Sequence, residues 1–439
     1  MGSERSKQLR DPNYLPPLHQ SIPLGIQHVL AMFASNVTPA IIIALAAGFA
    51  FGSSEMVYMI QIVMVFAGIA TLLQTIGIGP IGARLPIVQG TSFAFIPIMI
   101  PLVQSAGMPA LFGGVIVGGL FHFLLGTVIG KIRNFLPPLV TGVVVLTIGL
   151  TLLPVGIKYA AGGVPLMGTP EFGSLAHWSL ALIVIVVTMG LKFFTRGVVS
   201  SAAVLIALVI GYLVAIPMGM VDFGKVGHAP WFEMPSPFKF GVEFHAAAII
   251  GMCLMSFVSA IETVGDISGI TKGGAGREAT DKEISGGTMA DGIGTVLGGI
   301  FGGLPNTSFS QNVGLITMTG VMSRHVVTFG ALFLVLAGLV PKVGALISAM
   351  PIAVLGGGVI VMFGMVVSAG VTMLSEVTWD RRNMLILAIS LSIGIGLQAV
   401  PDALQHVPAT AKILLTSGIL PAAVLAIFLN MVLPERLRD

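Results

Sequence analysis

The sequence predicts an all-α polytopic membrane protein with fourteen transmembrane segments in two inverted seven-span repeats, and with short extended segments and half-helices in spans 3 and 10. Three observations carry that expectation. The chain is 55% hydrophobic and 9% charged over 439 residues, where a soluble protein carries about 25% charged residues. Apolar runs of roughly 17 to 25 residues, long enough to cross a bilayer, follow one another along the chain. Two polar runs, one in each half, interrupt that pattern at matching places.

The first seven apolar runs lie near residues 25–50, 56–76, 86–105, 109–130, 137–157, 176–194 and 198–219. The second seven lie near 245–270, 285–302, 307–323, 325–341, 345–372, 382–400 and 408–433. Charge tests this map, because cytoplasmic connections are enriched in Lys and Arg. With the N-terminus inside, 16 of the 21 Lys and Arg fall on inside connections, from Arg5 and Lys7 through Lys131, Arg133, Lys272 and Arg381 to Arg436 and Arg438. Only Lys158, Lys225, Lys239, Lys342 and Lys412 fall outside. One missed span would reverse every later connection and blur the bias, so both termini are expected in the cytoplasm.

The opening MGSERSKQLRDPNYLPPLHQ lacks a short apolar core followed by a small-residue cleavage site, so the first apolar run is expected to be kept as a span. The one cysteine, Cys253, rules out an internal disulfide and a paired-thiol metal site. A net charge of +3 scattered through short connections is no nucleic-acid footprint.

The two halves share sequence. LPIVQGTSFAF (Leu85 to Phe95) and LPNTSFSQN (Leu304 to Asn312) both carry Leu-Pro followed by Thr-Ser-Phe, and PPLVTGVVVLTIG from Pro137 resembles PIAVLGGGVIVMFG from Pro351. Both pairs are separated by about half the chain. Seven spans per half is an odd number, so the second copy crosses in the opposite sense, a frequent design of secondary transporters. Gln89 to Ser92 and Asn306 to Asn312 each follow a proline and are rich in residues that compete for backbone hydrogen bonds. They are expected to be extended segments leading into broken helices, and such backbone survives at membrane depth only where protein or a water-filled cavity covers it. Two half-helix N-termini aimed at one cavity would offer N–H donors to a carbonyl-rich or anionic ligand.

Three acids fall inside apolar runs: Glu262, Asp266 and Asp291. A carboxylate at mid-bilayer costs at least about 2.5 kcal/mol, so each needs a partner or a task. Glu262 and Asp266 lie four apart, on one face of the eighth span, and two acids so close are expected to hold a proton between them. An intramembrane enzyme finds no support. There is no H-E-x-x-H pair and no G-x-S-x-G elbow, and Thr263-Val264-Gly265 before Asp266 lacks the first glycine of a G-x-G-D run. An anion exchanger or channel would want a neutral or cationic group where Glu262 sits.

Gln311-Asn312-Val313-Gly314-Leu315-Ile316-Thr317-Met318-Thr319-Gly320 resembles the nucleobase-ascorbate transporter family at every fixed position of its motif [Q/E/P]-N-x-G-x-x-x-x-T-[R/K/G]. QHVLAMF, QGTSFAFIP, SAIETVGDISG, ADGIGTVLGG and VLGGGVIVMFGMV extend the resemblance from about Ile22 to the last span. It implies a core domain (25–130 and 245–341, spans 1 to 4 and 8 to 11), a gate domain (131–244 and 342–433, spans 5 to 7 and 12 to 14) and cytoplasmic tails at 1–24 and 434–439. It further implies a proton-coupled or sodium-coupled importer in a bacterial cytoplasmic membrane, working as a homodimer. Glutamine at 311 and aspartate at 266, where uracil carriers tend to have glutamate and histidine, are similar to the xanthine and uric acid branch. TSFSQNVGLI looks most like urate carriers and ETVGD is closer to xanthine carriers, so the choice between the two purines stays open.

By the same resemblance Glu262 accepts from ring N–H groups. The planar amide of Gln311, one donor and one acceptor, matches an N–H and C=O edge of an oxidised purine. Phe93 and Phe309 are candidates to stack on the ring, and Ser92 and Ser310 to donate to purine oxygens. Asp266 and Asp291, with Glu262, are candidates for proton coupling. His28, Asn312, Gly314 and Thr319 are expected to organise the site, while His122 has no motif around it. No cofactor or metal is expected, the coupling ion being a proton rather than sodium. The expected partners are a purine, the lipid bilayer and a second copy of the chain. The alternatives are a uracil or other nucleobase symporter of the same family and, further off, an anion exchanger of the same fold.

Overall fold

The computed structural model describes residues 8–132 and 137–434, with the side chains of Lys131, Ile132, Lys225 and Met318 left out. The expectations placed on Arg5, Lys7, Arg133 and residues 435–439 lie outside the described residues. The described chain is helical almost throughout: α1 (Leu18–Ala46), α2 (Ser54–Ile76), β1 (Gln89–Thr91), a 3-10 turn (Phe93–Phe95), α3 (Ile96–Ile132), α4 (Pro138–Ala160), α5 (Leu175–Phe194) and α6 (Ala203–Ala215) make the first half. The second half is α7 (Ala246–Ile270), α8 (Asp281–Ile300), β2 (Asn306–Ser308), α9 (Ser310–Thr319), α10 (Arg324–Gly338), α11 (Pro341–Ser348), α12 (Ile352–Ser375), α13 (Arg381–Ala399), α14 (Ala409–Thr416) and α15 (Ile419–Val432).

Among the described residues, 8 helices are long and apolar enough to cross a membrane, or up to 10 if each sharply bent pair counts as one span. Several apolar runs differ from the sequence expectation because composition does not record where a helix breaks. Residues 345–372 are not one helix: α11 begins at Pro341, lies at 80° to α10, and gives way to α12 only after Pro351. The run 408–433 bends by 82° between α14 and α15, at Gly418, whose φ of 75° disfavours any other residue. The run 198–219 is interrupted at Ala202, and the first helix begins at Leu18 rather than near 25. Within α3, Gly107 has φ 82° and ψ 176°, which breaks the helix between the third and fourth expected runs.

The helices pack in two groups. α3 lies along α7 and α8, while α2 lies along α1 and α10. In the other group α12 lies along α4, α5 and α6, and α13 along α15 and α4. Both seams rest on small residues that let backbones approach, the usual solution where lipid gives no hydrophobic drive between helices. A Cβ on Gly292 of α8 would collide with the α3 backbone at Phe123 and Gly119, and one on Gly356 of α12 with the backbone at Tyr159 and Ala160.

β1 and β2 form a two-stranded antiparallel ladder, with Gln89 opposite Ser308, Gly90 opposite Thr307 and Thr91 opposite Asn306. All six residues are buried. Two further bonds continue the pairing, Ser92 N–H to Pro305 O at 2.9 Å and Phe309 N–H to Val88 O at 3.0 Å. A two-stranded sheet leaves outward backbone groups unpaired, which inside a protein must find other partners. Here side chains supply them: Gln89 N–H donates to Thr71 Oγ1, Thr91 N–H to Asn36 Oδ1 and Asn306 N–H to Thr295 Oγ1, each at 2.9 Å. The polar residues of α1, α2 and α8 thus replace the missing neighbouring strands.

Candidate functional site

A cavity of about 760 Å³ lies between the two helix groups, within the range of small-molecule sites. One wall comes from the strand pair and its sequels, with Thr91, Phe93, Thr307, Ser308, Phe309, Ser310 and Gln311, together with Glu262 and Asp266 of α7. The facing wall is mainly apolar, from Val144 and Ile148 of α4 and Met362, Met365 and Val366 of α12. At Thr372 and Glu376, both exposed, the cavity reaches the surface.

The antiparallel pairing brings the two polar runs to one place, and α7 passes beside them. Glu262 is half-buried, and among the described residues no group hydrogen-bonds its carboxylate. The Gln311 side chain is likewise exposed in the cavity without a protein partner. Asp266, one turn beyond Glu262, is 7% exposed and accepts from Ser308 Oγ at 2.6 Å and Ser310 Oγ at 2.7 Å. The Ser310 hydroxyl therefore holds Asp266, and its place in the site is through that acid. α9 has Phe309 at its N-cap with no side-chain cap bond, so its first N–H groups lie at the cavity end of the helix.

The other limb is different. Ser92 is 1% exposed, its Oγ accepts from Ala94 N–H at 3.3 Å to cap the 3-10 turn, and it does not line the cavity. The hydroxyl expected to meet the ligand is therefore covered by protein and stands outside the cavity wall. Phe93 is half-buried in the cavity wall and meets Phe363 edge-on, with centroids 5.5 Å apart at 89°. Phe309 is 5% exposed and also lines the cavity.

Asp291 lies behind the strands rather than in the cavity wall, at 0% exposure. Its Oδ1 accepts from Gln74 Nε2 at 2.9 Å and Gln89 Nε2 at 2.5 Å, and its Oδ2 from Thr263 Oγ1. His28 and Asn312 are joined: the Asn312 amide is 3.1 Å from His28 Nδ1 and donates to His28 O at 3.0 Å, tying α9 to α1. Thr319 Oγ1 donates to Leu315 O and Gly320, at φ 68°, ends the helix, so the last motif positions form a stop signal. Gly314 does not organise the site by close packing, since a Cβ there would meet nothing within 4 Å. Sequence reasoning missed Thr263, Ser308 and Gln74 as ligands of the acids; Thr263 and Ser308 stand inside quoted motifs, whereas Gln74 gives no local signal. No group of three or more His, Cys, Asp or Glu could hold a metal ion among the described residues.

A cavity walled by two paired strands that lead into half-helices, with free polar side chains and two helix groups around it, is the arrangement of a secondary transporter's site. The model of the Permease family matches residues 19–403, and the chain belongs to that family, the nucleobase-ascorbate transporters. It is 40% identical over 416 residues to the uric acid permease PucJ of Bacillus subtilis, covering 93% of this chain and 91% of that protein. It is 38% identical over 418 residues to the xanthine permease of the same organism, covering 94% and 93%. The transmembrane domain of a cyanobacterial bicarbonate transporter, BicA, superposes with a TM-score of 0.63 at 17% identity over 93% of this chain and 98% of that one. That last likeness is one of fold alone.

Proposed function

We propose that the protein imports oxidised purines, xanthine or uric acid or both, together with a proton, by alternating access across a bacterial cytoplasmic membrane. The observation that carries this reading is the pairing of two unpartnered side chains in one cavity wall: a carboxylate at Glu262 and a planar amide at Gln311. The first accepts from ring N–H groups, and the second reads an adjacent N–H and C=O edge, leaving Phe93 to cover the ring face. The relatives named as uric acid and xanthine permeases support the same substrate class. Uracil is the rival substrate within the family.

In this reading the chain makes fourteen crossings as two inverted repeats. The antiparallel sense of the β1–β2 pair supports it, because segments from equivalent places in inverted halves meet head to tail. The helices grouped around α3 and α2 form the core domain and those around α12 the gate. With both termini in the cytoplasm the cavity mouth at Glu376 opens inward. A proton neutralises the acid cluster, the purine completes its hydrogen bonds, and the core moves against the gate without carrying an uncompensated charge. A second copy packs alongside as a homodimer. Uptake of radiolabelled xanthine competed by excess uric acid, xanthine or uracil tests the substrate: strong competition by the two purines and none by uracil is expected, and competition by uracil alone would overturn the reading.

A further inference from the structure

We infer that His122 of α3 is a proton-holding partner of Asp291, and that the coupling proton is shared by this pair behind the strands rather than kept in the cavity wall. The inference rests on the proton-coupled reading above and extends it to a residue with no motif around it. His122 is 1% exposed, and its Nε2 is buried without a hydrogen-bond partner, 3.8 Å from Asp291 Oδ2. A buried ring nitrogen left unpaired is costly and calls for a role or a partner. Asp291 meets only neutral donors in Gln74, Gln89 and Thr263, and among the described residues no Lys or Arg pairs with it.

A line of hydrogen-bonding groups joins this pair to the cavity. Ser308 Oγ stands 2.6 Å from Asp266 and 3.5 Å from Thr263 Oγ1, which donates to Asp291; with a proton on Asp266, that acid donates to Ser308, Ser308 donates to Thr263, and the line runs on to Asp291. Gln89 of β1 also ends on Asp291, so the pair touches the strand whose sequel, Phe93, lines the cavity. The transfer is balanced. With His122 as the Nδ1–H tautomer, the O–H proton of a protonated Asp291 passes to Nε2, leaving a carboxylate held by its three donors and an imidazolium beside it. The reverse step returns the proton. Either way the pair holds one proton and no net charge, and losing it toward the cavity leaves one negative charge in the core.

The other titratable groups on elements packed against α3 stand apart from the pair, and Cys253 of α7 and His19 of α1 bond to neither member. Glu262 and Asp266 on α7 line the cavity, and His28 on α1 is bonded to Asn312. Lys158 and Tyr159 on α4 and Lys412 on α14 pair with neither member. The remaining charges of α8, Asp281 to Glu283, sit in its first turn.

The test uses the full chain in proteoliposomes with radiolabelled xanthine, comparing H122Q and H122N with the unaltered protein. Uptake driven by an imposed pH gradient should fall about tenfold in both variants, with its pH profile displaced by about one unit, while xanthine exchange between equally loaded compartments at fixed pH falls far less. A pH profile and gradient-driven uptake like those of the unaltered protein would overturn the inference. If neither variant reaches the membrane, the His122 imidazole is followed by NMR in the unaltered protein. Charge that changes on adding xanthine supports the pair, and an imidazole in one charge state from pH 5 to 8 overturns it. Should the unaltered protein accumulate xanthine without any dependence on the gradient, the proton-coupled reading fails and this inference falls with it.

Discussion

The two strand limbs start from related sequence, Leu-Pro followed by Thr-Ser-Phe, and end in different chemistry. On the β1 limb the polar side chains turn into the protein: the Gln89 amide N–H to Asp291, Thr91 to Asn36 and Ser92 as a cap. What that limb offers the cavity beyond Thr91 is the apolar face of Phe93. On the β2 limb the helix start is uncapped and Gln311 projects free, beside Glu262 of α7. In the proposed reading the first limb serves mainly as scaffold, with Phe93 covering the ring, and the second recognises the ligand. Related sequence does not give matching chemistry there, because the interior already occupies the polar side chains of one limb.

That division can be broken experimentally, beginning with its strongest point. In the proposed site, replacing Glu262 with Ala removes the acceptor of ring N–H bonds, and two charged hydrogen bonds at about 1.5 kcal/mol each correspond to roughly 100-fold in affinity. Uptake should be abolished while the amount of protein in the membrane is unchanged. On the scaffold limb, Gly90→Ala places a Cβ under 3.0 Å from Phe309, Met32 and Asn36, so it should cost about 1–3 kcal/mol of stability. A lowered melting temperature in detergent is the readout, and an unchanged one would mean that the strand pair is looser than described. Replacing Gln311 with Ala removes neutral hydrogen bonds only, and substrate affinity should weaken about tenfold with stability untouched. Gly314→Ala, one turn further along α9, meets open space and should change the melting temperature little.

Much of this site was legible before the fold was known, because a membrane interior makes polar residues conspicuous. The runs at 89–92 and 306–312 stood out against apolar neighbours, and so did Glu262, Asp266 and Asp291. The register was not legible. Aligning the repeats sets Ser92 against Ser308, whereas the antiparallel ladder sets Gln89 against Ser308. An internal repeat records ancestry in one chain direction, and pairing of inverted copies runs in the other. One helix break was hidden for a related reason: Gly418 sits in a run whose composition does not change across it, and only its positive φ marks the turn, whereas the break at Gly107 falls between two expected runs. His122 was invisible as a site residue, since its partner lies on another helix 169 positions along the chain and nothing around it in sequence differs from ordinary packing.

The central claim is that the cavity between the paired strands and α12 receives the purine. A density map of the protein with xanthine or uric acid bound would test it most directly. The ring is expected against Phe93, with its N–H edge on the Glu262 carboxylate and an adjacent edge on the Gln311 amide. A ligand seated elsewhere, or one in this cavity that touches neither side chain, would contradict the account.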